Sequence, residues 1–166
     1  GTYRLRVSDP APGDGTADID ITASMTICPS HPTFFRPFVI DGNGLDRIFD
    51  IHGAVDVVIK DLTLRNGSAL GNGGAIAAAD PGADLALIGD KFLCNRASGS
   101  GGAVFMGVET YLTVDGCSFE RNRAGENGGA IGSIGFSVIV SRSTFFRNQA
   151  CGMGGAVFLA SQAVDT

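Results

Sequence analysis

The chain has 166 residues, 44% hydrophobic and 17% charged, with 25 Gly, no Trp and a formal net charge of −5. It is long enough for one substantial core or two small ones, too apolar for a disordered tail, and free of the strict G-X-Y period of collagen. Two Lys and ten Arg stand against fourteen Asp and three Glu, with a pI near 4.8, so no nucleic acid is expected as a partner.

The first third carries strand-like runs: Tyr3-Arg4-Leu5-Arg6-Val7, Ile19-Asp20-Ile21-Thr22, Met25-Thr26-Ile27 and Phe38-Val39-Ile40. A start without Met on an alternating strand points to a processed mature protein or an excerpt of a longer chain. No stretch approaches the roughly 18 apolar residues that span a bilayer, so no transmembrane segment is expected. Pro29, Ser30, His31, Pro32 and Pro37 mark an irregular excursion. From Val39 to Phe49 the residues predict strand, tight turn and strand, because Asp41-Gly42 and Asn43-Gly44 admit positive φ. Residues 1–52 are expected to form an opening strand and two degenerate coils, and residues 53–166 the regular coils of one continuous domain.

From residue 53 a repeat governs the chain. Gly-Gly-Ala occurs at Gly73-Gly74, Gly101-Gly102, Gly128-Gly129 and Gly154-Gly155, in steps of 28, 27 and 26 residues, each time followed by Ile or Val. Six residues before each triplet stands an anchor, Gly67, Asn95, Asn122 or Asn148, and three residues earlier Leu64, Phe92, Phe119 or Phe145. Ten and eight residues before the anchor are Val57 and Ile59, Leu85 and Leu87, Leu112 and Val114, and Val138 and Val140; two after it is always Ala.

The alternating pair predicts a strand with one inward face. The break in parity before the Phe position predicts a corner, where Gly89, Asp90, Gly116, Ser118, Ser143 and Thr144 sit. Three short strands and three turns then make one coil of about 27 residues, and stacked coils pair at about 4.8 Å into an all-β parallel β-solenoid. Length alone predicts about six coils. Phe92, Phe119 and Phe145 should stack inside, and Asn95, Asn122 and Asn148 should hydrogen-bond along the axis. A hairpin sandwich leaves the repeat unexplained, and no amphipathic helix exists for a βαβ fold.

Together, the pairing of FxxN with GGA[ILV] resembles the polymorphic outer-membrane protein repeat of the pectin-lyase-like superfamily, over roughly residues 55–160. The first of these coils departs, with Leu64 and Gly67. The resemblance implies a right-handed, single-stranded parallel β-helix and a surface-displayed, bacterial, adhesive or structural role. It also implies an extracellular or cell-surface location, and its enzymatic relatives make a polysaccharide lyase or hydrolase the alternative.

No catalytic, cofactor or metal site stands out. Asp50-Ile51-His52-Gly53 sets a carboxylate near an imidazole but reads as a polar turn. Asp56, Asp61, Asp84 and Asp90 could stack across coils, and Asp80, Asp84 or Asp115 could meet calcium, though the ligand series of a dedicated loop is missing. The connections Ala79 to Asp84, Gly107 to Tyr111 and Ile134 to Ser137 are too short to wall a cleft. Arg65, Arg96, Arg121, Arg123 and Arg147 predict a basic stripe, either a solvated face or a receptor for an acidic surface glycan or a neighbouring subunit. Cys28, Cys94, Cys117 and Cys151 lack zinc spacing and leave disulfides and buried thiols both open. A strand bearing Tyr3, Leu5 and Val7 at one end, and a last coil bearing Val157 and Leu159 at the other, lead to an expectation of head-to-tail self-association into a filament. The function expected is thus a non-enzymatic structural or adhesive surface element without cofactor.

Overall fold

Apolar residues at alternate positions, flanked by polar corners, give five-residue strands with one dry face. A computed structural model describes residues 2–4, 18–30 and 37–160. In it Asp56–Lys60, Asp84–Ile88, Tyr111–Asp115 and Ser137–Ser141 pair in parallel, with Met25–Ile27 ahead of them. This five-stranded array is the long sheet. Its register sets Val57, Leu85, Leu112 and Val138 opposite one another, as the columns require.

Each regular coil then crosses three more sheets. The Phe sheet has six strands, Thr2–Arg4, Phe38–Asp41, Leu62–Arg65, Lys91–Leu93, Ser118–Glu120 and Thr144–Phe146. A four-stranded corner sheet holds Ser68–Ala69, Arg96–Ala97, Arg123–Ala124 and Gln149–Ala150. The Gly-Ala sheet has six strands, Ile19–Ile21, Phe49–Ile51, Ile76–Ala78, Val104–Met106, Ile131–Ser133 and Val157–Leu159. All ladders are parallel and the described residues contain no helix, so the molecule is a parallel β-solenoid.

Two expectations need correction. A regular coil has four strands rather than three, because the Ala two residues after the anchor lies in a two-residue strand of its own. The solenoid makes about five turns, counted on the long sheet, rather than six. The early coils consume more chain per turn: Thr2 pairs with Val39 and Met25 with Val57, whereas Phe49 pairs with Ile76 at the regular spacing. Within Val39–Phe49 the tight turn exists, with Asn43 and Gly44 at φ of 58° and 71°. It joins two different sheets, however, and makes no hairpin.

The core is the inside of the coil. Val57, Ile59, Leu64, Leu85, Leu87, Phe92, Leu112, Val114 and Phe119 are all buried. Phe92 stacks on Phe119 with centroids 4.6 Å apart, and Phe119 on Phe145 at 4.9 Å, nearly parallel in both cases. Each ring removed from water contributes about 1.5–3 kcal/mol. In the last coil the same columns are less covered, with Val140 41% exposed.

Both glycines of the repeat are required. The first, at Gly73, Gly101, Gly128 and Gly154, has φ between 66° and 69°. The second lies against the neighbouring coil, and a Cβ on Gly74 would stand 2.3 Å from the Gly102 carbonyl oxygen.

Candidate functional site

The most ordered feature is the corner between the Phe and corner sheets. Asn95 Oδ1 accepts the Gly67 N–H at 2.9 Å, Asn122 Oδ1 the Asn95 N–H at 3.0 Å, and Asn148 Oδ1 the Asn122 N–H at 3.0 Å. The amide nitrogens donate back to the carbonyls of Leu64, Phe92 and Phe119 and along the column to the next Asn. The ladder read from the sequence is therefore present.

Two parallel ladders escaped sequence reading. Five residues before the anchor, Asp90 Oδ1 accepts the Leu62 N–H at 2.9 Å, Cys117 Sγ the Asp90 N–H at 3.4 Å, and Ser143 Oγ the Cys117 N–H at 3.0 Å. Five residues after it, Asn72 Oδ1 accepts the Ser100 N–H, Ser100 Oγ the Asn127 N–H, and Asn127 Oδ1 the Met153 N–H. Asp, Cys and Ser share no residue type, only the ability to accept a hydrogen bond at one phase. That is why the first column stayed hidden. Burial pushes the Asp90 carboxyl up to about 7, against the two backbone N–H groups of Leu62 and Ile88 that favour its charge. Burial also pushes the Cys117 thiol up to about 11.

Immediately before the anchor the backbone is left-handed at Asn66, Cys94, Arg121 and Arg147, with φ of 53° to 56°. The residues on either side of the buried Asn thus point outward. This geometry divides the arginines predicted as one stripe. Arg65 belongs to the Phe sheet and is spent on Asp41, 2.8 Å away, whose carboxyl also accepts from Asn66 and the Asn43 N–H. Burial opposes the Asp41 charge, but these donors outweigh it and hold the carboxyl below its usual range. Arg121 pairs loosely with Glu120 at 3.4 Å, and Arg147 lies over the Phe146 ring at 4.8 Å. Arg96 and Arg123 are register partners in the corner sheet, exposed and without a partner among the described residues.

Asp50 and His52 do not form an isolated turn. Parallel pairing sets Asp20 beside Asp50, and His52 Nε2 lies 3.1 Å from Asp20 and 3.9 Å from Asp50, with Nδ1 3.6 Å from Asp80. Arg47 bridges Asp18 and Asp50 and donates to the carbonyls of Asn72 and Gly73. Burial raises Asp18 to about 6 in spite of Arg47, and burial likewise leaves Asp50 above the usual carboxylate range. Burial depresses the His52 imidazole, but the hydrogen bond to Asp20 and the surrounding carboxylates outweigh it and leave it raised. The cluster stitches successive coils by charge.

The remaining candidates are dispersed. Asp56 and Asp84 are register partners on the long sheet, Asp61 is exposed at a corner, and Asp90 is buried in its ladder. Asp115 is gripped by Arg142 and Ser141, and Asp80 accepts the Gly53 N–H. Among the described residues no three His, Cys, Asp or Glu side chains are placed to hold a metal ion. All four cysteines are free thiols, and only Cys117 is buried. At the ends, Val157 is half-buried, Leu159 is 55% exposed, and Thr2–Arg4 is the first strand of the Phe sheet; Leu5 and Val7 lie outside the described residues.

A single coil repeated with these ladders, with connectors of a few residues and no side domain among the described residues, defines a parallel β-helix repeat protein. Residues 116–133, the stretch holding Phe119, Asn122 and Gly128-Gly129-Ala130-Ile131, match the Chlamydia polymorphic membrane protein (Chlamydia_PMP) repeat, and over that coil the chain is similar to it. The extracellular or cell-surface location expected from the sequence agrees with this repeat of surface membrane proteins. No curated protein and no solved structure matches the chain.

Proposed function

We propose that this β-helix is a non-enzymatic structural or adhesive element of a bacterial cell surface. The observation that carries the reading is the unbroken regularity of residues 56–159: four coils in register, with connectors of three to five residues between the Gly-Ala and long sheets, which raise no walls around a substrate. Two carboxylates that could serve acid-base chemistry are occupied, Asp50 by Arg47 and Asp115 by Arg142. The test is incubation of the purified chain with acidic polysaccharides, with and without calcium. No depolymerisation is expected, and a specific activity abolished by Asp50→Asn or Asp20→Asn would replace this reading with that of a polysaccharide lyase or hydrolase.

The same element associates head to tail in this proposal. Support comes from the polarity of the sheets: Thr2–Arg4 and Ile19–Ile21 open the sheets that Thr144–Phe146 and Val157–Leu159 close. The closing strand Val157–Leu159 presents Leu159, 55% exposed, at a notch it shares with Ser133, Phe136 and Val138. A second copy laid on this face would continue all ladders by β-augmentation. Light scattering and negative-stain microscopy should show linear oligomers that Leu159→Lys dissolves; a dispersed monomer at all concentrations rejects the filament.

A further inference from the structure

We infer that Arg96, Arg121, Arg123 and Arg147 form one binding site for an acidic polysaccharide. This deepens the surface-element reading and rests on it.

The four lie on three consecutive coils at one corner. Arg121 and Arg147 occupy the left-handed position before the anchor, and Arg96 and Arg123 the position after it, in register with each other. Parallel pairing sets the backbones of successive coils about 4.8 Å apart, so the site extends roughly 10 Å along the axis. Between the two columns the Asn ladder fixes the backbone by hydrogen bonds of 3.0 to 3.1 Å on buried atoms. The guanidinium groups are consequently presented from a corner pinned by the buried Asn ladder.

Like charges directly opposite one another in a sheet are unfavourable. Elsewhere among the described residues this acidic chain neutralises three of its arginines: Arg47 with Asp18 and Asp50, Arg65 with Asp41, Arg142 with Asp115. At this corner it does not. Among the described residues Arg96 and Arg123 have no counter-charge, Arg147 has only the Phe146 ring, and Arg121 has the half-buried Glu120 at 3.4 Å. Glu126 is turned toward the Ser100 hydroxyl at 3.2 Å. Four arginines with one weak carboxylate partner, on a chain of net charge −5, make a local positive site in a repelling field.

The ligand that fits is a chain bearing carboxylate or sulfate groups every few ångströms. Each group can take a bidentate pair of N–H donors, and the surrounding acid confines the polymer to this corner. Nucleic acid is disfavoured by the same surrounding charge and by the small number of cations.

Heparin is the probe, titrated against the whole chain at about 0.15 M salt, with neutral dextran and single-stranded DNA alongside. Saturable binding to heparin is expected, falling at least tenfold in Arg96→Gln/Arg123→Gln. Arg65→Gln/Arg142→Gln, which removes two arginines already paired, should change it less than twofold. Arg123→Lys should fall between wild type and the double variant, because charge persists without the planar fork. Circular dichroism verifies each variant's fold. Absence of saturable heparin binding, equal loss in both double variants, or tighter binding of DNA than of heparin overturns the proposal. A chain that neither binds nor cleaves heparin sinks this inference alone, whereas one that cleaves it sinks the non-enzymatic reading.

Discussion

Asn122→Ala is the most informative single change. Asn122 makes four hydrogen bonds of 3.0 Å through its side chain: it accepts from the N–H and the side-chain amide of Asn95, and donates to the Phe92 carbonyl and to Asn148. Alanine supplies none of them, and both Asn95 and Asn122 are essentially inaccessible, so water does not substitute. A stranded buried donor costs roughly 1–3 kcal/mol and a satisfied bond contributes about 1 kcal/mol net. One stranded backbone N–H plus the lost side-chain bonds gives a loss of about 3–5 kcal/mol, a large share of the stability of an ordinary domain. Asn148 is half-buried in the last coil, so Asn148→Ala should lose about 1–2 kcal/mol because water can reach the freed groups. Urea denaturation at unchanged slope measures both. Since a solenoid can open coil by coil, hydrogen exchange at the Asn95 amide localises the damage. A loss under about 1 kcal/mol for Asn122→Ala, or wild-type protection of the Asn95 amide, would refute the view that the ladder holds the coils together.

Stability should decline from mild acid to mild alkali. Asp18, at about 6, and Asp90, at about 7, both lie above the ordinary carboxylate value, so their contribution is complete below that value and disappears as pH rises through 6 and 7. His52 is raised too, so its contribution is complete below about 6.5 and is lost at higher pH. Melting temperatures between pH 5 and 8 check this, with Asp90→Asn and His52→Gln expected to flatten the slope; a rise with pH contradicts it. Gly74→Ala should lose about 3 kcal/mol or more through overpacking, while Gly71→Ala, whose Cβ meets nothing within 4 Å, should be nearly neutral by thermal denaturation. Iodoacetamide at pH 8 should modify Cys28, Cys94 and Cys151 quickly in the native chain and Cys117 only on unfolding, as intact-mass measurement will record.

Phe92, Phe119, Asn95 and Asn122 were legible in the sequence because each recurs as the same residue at the same phase, and stacking and hydrogen bonding both reward identity between neighbours. Asp90, Cys117 and Ser143 were not, because any acceptor suffices at their phase. The left-handed backbone at Cys94, Arg121 and Arg147 was invisible for a related reason: none of these residues favours it, and the ladders on either side impose it. The Asp18, Asp20, Asp50, Asp80 and His52 cluster joins residues as far apart as 18 and 80, and only the register of the irregular early coils brings them together. The stripe of five arginines had a periodic signal but lost Arg65 to Asp41, a partner that the repeat could not disclose.

The two side-chain ladders at and before the anchor point the same way: each coil's Asn, Asp, Cys or Ser caps an N–H of the coil that precedes it in the chain. A coil is thus finished by its successor. At the closing face the N–H groups of Ser143 and Asn148 have no acceptor among the described residues. The solenoid therefore has a grammar for extension: a coil grafted onto the closing face pairs these two N–H groups only if it brings an acceptor at the anchor and another five residues before it. A graft carrying Leu at both phases, as Leu62 does at one of them, would satisfy the hydrophobic pattern and leave both N–H groups unpaired.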